Sequence, residues 1–219
     1  SVYPETYQNL NQVDVYKKGL EQFIKTSQVR QNFEGLGYTT VAFETGYPWT
    51  EIDDADMFLT RNGQGDRLNL LSGVNNFESM LIRSSGLLFL SAVSPQAADV
   101  LLPELNFPNK DHRDLVLFAL DALQETPAIQ SPKFVFAHIV SPHEPMVFGP
   151  NGEALEREPS YDKGYPDQIA YLNKRLIPMI DSILKNSPVP PVIIIQGDHG
   201  ARQNVGEYGR LGILNAYYL

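Results

Sequence analysis

The stretch Val192–Ala201, VIIIQGDHGA, decides the fold. Four β-branched aliphatic residues lead through Gln196 into Gly197, and Asp198, His199 and Gly200 follow at once. An apolar run without polar alternation predicts a strand covered on both faces, as in a parallel sheet. Ligands of such sheets gather beyond the carboxyl ends of the strands. An acid and an imidazole at this tip therefore stand where chemistry is done. The flanking glycines let the chain turn sharply, so that both side chains can converge. The plainer reading is an Asp capping a turn beside a surface His, and so short a motif does not choose between the two.

Three further runs read as buried strands: Thr39–Glu44 (TTVAFE), Lys133–Val140 (KFVFAHIV) and Gly212–Leu219 (GILNAYYL), with Pro191–Gln196 as the fourth. Helical patterns separate them. Ser27 caps a helix that runs through Phe33 and Leu36 and stops at Gly37. Residues Arg113–Leu123 carry Leu115, Leu117, Phe118 and Leu123. Residues Asp167–Leu184 place Ile169, Leu172, Leu176, Met179, Ile180 and Ile183 on one stripe, with Pro178 expected to kink it. Helices alternating with such strands predict an α/β fold, a mainly parallel sheet with helices on both faces. The 219 residues suit one domain, 1–219. The Gly-, Pro- and charge-rich segment 148–165 is expected to be an exposed loop, or a lid.

Composition excludes several function classes. With a net charge of −9, the chain is a poor nucleic-acid binder, since phosphate backbones are met with Lys and Arg. It has no cysteine, so disulfides, thiolate nucleophiles and cysteine-based zinc sites are out, and the redox compartment stays open. No signal peptide and no apolar run long enough to cross a bilayer stands out. The opening SVYPETYQNL reads as the middle of a domain, so a soluble fragment of a longer protein is expected.

The candidate site residues lie near the expected strand tips. An Asp oxygen and a His nitrogen, Asp198 and His199, suit a divalent metal: Zn²⁺, Mn²⁺ or Mg²⁺. His143 lies in SPHEP, between two prolines that stiffen its loop; it is a ligand or substrate contact, or simply an exposed turn histidine. His138 lies inside an expected strand and reads as a core histidine held by a hydrogen bond. Thr6 reads as a helix cap, although a helix start also favours a phosphate and an activated threonine is a nucleophile. Tyr47 and Trp49 can line a pocket or pack inward. Arg202 can neutralise an anion or stay solvated.

Taken together, LGYTTVAFETGYPWTEIDDADMFL, KFVFAHIVSPHEPMVFGPNGE and DQIAYLNKRLIPMIDSILKNSPVPPVIIIQGDHG resemble the sulfatase-like branch of the alkaline phosphatase superfamily. Membrane-anchored bacterial sulfatase-like hydrolases are the nearest kind, with lipoteichoic acid synthases and phosphoethanolamine transferases more distant. The resemblance spans Tyr3 to Leu219. It implies an alkaline phosphatase-like fold, truncated here. It makes Asp198 and His199 metal ligands, His143 a substrate or metal contact with a catalytic role, Thr6 the metal-bound nucleophile, and Trp49 part of the substrate wall. A strand ending in an acidic metal ligand, which begins family members, is expected to be missing. The formylglycine motif of true sulfatases is lacking too, so the resemblance favours phosphate esters over sulfate esters.

The reaction so implied is metal-dependent hydrolysis or transfer on a small, lipid-linked or glycan-linked phosphoester. The parent protein would work at the extracytoplasmic face of a membrane. With one ligand lost, the fragment is expected to bind metal weakly and turn over slowly, and open sheet edges are expected to favour a homodimer. The rival class is a non-catalytic, degenerate domain that binds an anionic glycan or polymer.

Overall fold

A computed structural model of the chain describes residues 18–47, 50–61, 107–155, 158–200 and 212–219, with side chains of 18–21 and 107–108 set aside. Thr6, Trp49 and Arg202, together with the start of the chain, lie outside the described residues.

Two short helices come first, α1 (Lys18–Lys25) and α2 (Gln28–Gly35). Ser27 caps α2 as its sequence requires, its hydroxyl accepting from the Arg30 N–H at 3.4 Å. At the other end Gly37 turns with φ of 84°. Gly37 N–H bonds the Glu34 carbonyl and Tyr38 N–H bonds the Phe33 carbonyl. These two bonds satisfy carbonyls the helix leaves open, and only glycine takes this φ without a steric penalty.

The chain then enters β1 (Thr39–Phe43), and β2 (Met57–Leu59) and β3 (Lys133–Phe136) lie parallel on either side of it in the order β2-β1-β3. The central strand is the buried one, from Thr40 to Phe43. Strand pleating sends alternate residues to opposite faces. Thr40 shares its face with Phe134, its partner in register, and on that side Phe33 of α2 stacks on Phe134 with centroids 5.0 Å apart. Phe43 points the other way and meets Phe118, 6.4 Å away, on α3 (Phe107–Glu125). A parallel sheet with helices on both faces is therefore present, at three strands among the described residues.

Helix α4 (Tyr161–Asn186) packs against α3, running unbroken through Pro166 and Pro178. It starts six residues before the expected Asp167, so the end of the 148–165 segment is helical. Its stripe holds: Leu172 and Met179 join Val116 and Leu120 of α3 in the main core, with Leu176, Ile180 and Ile183 against them. Val147 and Phe148 fill the same core from the loop after β3. The Phe148 and Tyr171 rings sit 4.6 Å apart. Each fully buried side chain of this size contributes roughly 1.5–3 kcal/mol. From Phe148 the chain turns back on itself to bridge Ala154, so this stretch begins in the core rather than as an open loop.

Strand β4 (Ile193–Gln196) differs from its sequence expectation, and so does β5 (Asn215–Tyr218). Among the described residues they pair with each other, antiparallel, apart from the three-stranded sheet. Burial along β4 alternates, with Ile194 exposed, and β5 is exposed throughout. The unbroken apolar run had implied a parallel strand covered on both faces; the observed pairing is antiparallel and the burial partial. Among the described residues no helix is long and apolar enough to cross a membrane.

Candidate functional site

Parallel pairing brings the carboxyl ends of β1 and β3 to the same sheet edge. Beyond β1 comes the turn Glu44–Tyr47, resuming at Thr50. Glu51 ties this turn together: its Oε1 accepts from the N–H groups of Thr45 and Gly46, each at 3.0 Å. Thr50 donates its hydroxyl to the Tyr47 carbonyl at 3.1 Å. The same hydroxyl lies 3.0 Å from His138 Nδ1 and 3.3 Å from Thr45 Oγ1, so Thr50 links the turn to the imidazole.

His138 is a correction to the sequence reading. It is not inside the strand: β3 ends at Phe136, and His138 stands just beyond the tip. Burial pushes its pKa down. The charge of Asp198 pulls the other way, and His143 adds to the lowering. His138 thus lies within electrostatic range of both Asp198 and His143.

His143 is exposed, with its Nδ1 bonded to the Glu144 carbonyl. Its main chain is held from α4. Gln168, with none of its surface exposed, donates through Nε2 to the carbonyls of Pro142 (3.2 Å) and His143 (3.4 Å). Through Oε1 it accepts from the Val147 N–H at 3.0 Å. Below the loop, His112 of α3 is buried, and desolvation, helped by His143 and opposed by a bond to the Val140 backbone, brings its pKa down to about 4.

At the β4 tip, Asp198 Oδ1 accepts from the His199 N–H at 2.9 Å. Its other oxygen, Oδ2, lies 3.7 Å from His199 Nε2. His199 Nδ1 is bonded to the Gly200 carbonyl at 2.7 Å, which leaves Nε2 as the free lone pair. Two donors on one tetrahedral Zn²⁺ are about 3.4 Å apart. Asp198 and His199 therefore fit a shared divalent ion as two of its ligands, after a shift of a few tenths of an ångström. Among the described residues no group of three His, Asp or Glu side chains is gathered to complete such a site. An ion here would need its other ligands from water or from residues outside that set.

Of the remaining candidates, Tyr47 is half-buried, and its carbonyl braces Thr50. Burial raises the pKa of Tyr165 in the first turns of α4, with Tyr161 and then Asp198 adding to the rise, so this phenol lies in the field of Asp198. It stacks on Tyr161, centroids 5.1 Å apart. Sequence reasoning missed Thr50, His112, Tyr165 and Gln168. For Gln168 a signal existed: it occupies the position four before Leu172, an amide on an otherwise apolar stripe. Compared with protein-family models, curated proteins and solved structures, the chain matches none.

Proposed function

We propose that the chain carries a divalent-metal site for phosphoester chemistry, hydrolysis or transfer, on an alkaline phosphatase-like form of the α/β fold, with sulfate esters the less favoured substrates. The observation that carries this reading is the Asp198–His199 pair. A carboxylate oxygen and an imidazole nitrogen whose ring partner is bonded to the Gly200 carbonyl face each other at 3.7 Å.

A bound divalent ion would stabilise charge on phosphoryl oxygens and lower the pKa of a coordinated hydroxyl. Asp198 and His199 would hold it. His143, its Nδ1 engaged by the Glu144 carbonyl, would turn Nε2 to a nonbridging oxygen or protonate the leaving group. His138 is kept neutral by burial and would stand by as a second imidazole. Thr6 as nucleophile and Trp49 on the substrate wall follow from the resemblance, and Tyr47 and Arg202 as substrate contacts from their place in the sequence. Work at the extracytoplasmic face of a membrane, on a lipid-linked or glycan-linked phosphoester, also follows from the resemblance.

The test is Mn²⁺ or Zn²⁺ binding by calorimetry, paired with hydrolysis of bis-p-nitrophenyl phosphate. The reading expects one bound ion, its affinity lowered at least about 100-fold in Asp198→Asn, the upper end of what loss of an outer-shell partner costs, and any metal-dependent turnover abolished in that variant. Unchanged binding and turnover in Asp198→Asn would contradict it. Turnover that survives Thr6→Ala would remove Thr6 as nucleophile.

A further inference from the structure

We propose that Gln168 is a positioning residue, the side chain that sets where His143 stands. The inference rests on the reading of His143 as a substrate-facing group.

Burying a primary amide is costly unless each of its polar groups finds a partner. Gln168 is fully buried near the start of α4, and its partners are concentrated on one loop. Its Oε1 takes the Val147 N–H, and its Nε2 reaches the carbonyls of Pro142 and His143 as well as Met146 Sδ at 3.0 Å. The amide orientation follows from chemistry: an N–H demands the oxygen and two carbonyls demand the nitrogen. The bonds bracket His143 from the residue before it to four residues after.

Two more features serve the same contact. Gly164, one helical turn before Gln168, lets α4 come close. A Cβ there would stand 2.7 Å from Met146 Cγ. Glu158 accepts from the Met146 N–H at 3.1 Å. The loop is thus fixed from the α4 side, while the His143 ring stays exposed. A buried clamp under an exposed imidazole is how a loop residue is held within the tolerance that catalysis needs.

The experiment is NMR of the histidine ring signals in the full chain, comparing wild type with Gln168→Glu from about pH 5 to about pH 9. Protonated, the introduced acid donates to the carbonyls as the amide does. Ionised, it turns only acceptors toward them, and burial raises the pH at which this happens. His143 signals should coincide with wild type at the acid end and depart as the acid ionises, while His199 signals follow wild type throughout. His143 signals that coincide with wild type over the whole range, in a folded protein, would overturn the proposal.

If Gln168→Glu does not fold, hydrogen exchange of the Val147 amide in the wild type decides. Protection at least about 100-fold above that of an open loop supports the clamp, and exchange at the open-loop rate overturns it. Titrating the wild type with inorganic phosphate and Mg²⁺ separates the two readings. If phosphate leaves His143 unmoved, the phosphoester reading falls, and the Gln168 result still stands on the NMR and exchange measurements.

Discussion

His138 Nδ1 lies 3.0 Å from Thr50 Oγ1, and that bond joins the tip of β3 to the turn after β1. The same hydroxyl reaches the Tyr47 carbonyl at 3.1 Å, so Thr50 joins that turn to the imidazole. Thr50→Val keeps the shape and removes the hydroxyl. It should lower stability by about 1–3 kcal/mol, and ¹⁵N NMR should show the His138 ring signals move. Unchanged His138 ring signals would mean the bond is not made in solution.

His112 makes stability depend on pH. Its folded pKa of about 4 lies below the unfolded value of 6.5. The unfolded chain therefore takes up a proton first as pH falls. The contribution is complete above the unfolded pKa and is lost between pH 6.5 and about 4, to a total on the order of 3 kcal/mol. Urea unfolding at a series of pH values should show this slope, and His112→Asn should flatten it. A slope unaltered in the variant would assign the effect to other groups.

Leu120 is 1% exposed in the core between α3 and α4. Leu120→Ala removes buried carbons and leaves a cavity, at a cost of about 2–5 kcal/mol. Because Val147 and Phe148 share that core, amide exchange in the loop after β3 should quicken along with the helices. Destabilisation confined to the helices would argue that the loop is held elsewhere.

Ser27 is the cap of α2. Ser27→Ala should cost about 1 kcal/mol and leave Asp198 and His199 untouched, so the midpoint of unfolding moves and metal affinity does not. A loss of metal affinity in this variant would break the separation drawn between frame and site.

Much of the frame was legible because it follows local rules. Ser27 and Gly37 bracket a helix by capping chemistry, and Leu172, Leu176, Met179 and Ile183 share a face by the helical period. The run Ile193–Ile195 was read as a strand correctly, but a string of β-branched residues does not say what covers it. Ribbon or sheet interior is decided by partners far away in sequence. The same limit hid His138: KFVFAHIV carries no mark of where the ladder stops, and the strand ends two residues before the histidine. Gln168 was visible as an oddity on an apolar stripe, yet its role depends on a loop more than twenty residues earlier. Asp198 and His199 were legible as an acid and an imidazole just after a strand, but the parallel-sheet edge on which that reading leaned is not where β4 lies among the described residues, and their 3.7 Å separation is what folding adds.

The most direct measurement of the central claim is anomalous diffraction from crystals of the chain soaked in Mn²⁺ or Zn²⁺. The account predicts a peak about 2.0–2.2 Å from both Asp198 Oδ2 and His199 Nε2, lost in Asp198→Asn. Peaks only at other sites, with Asp198 and His199 bare at saturating metal, would contradict it.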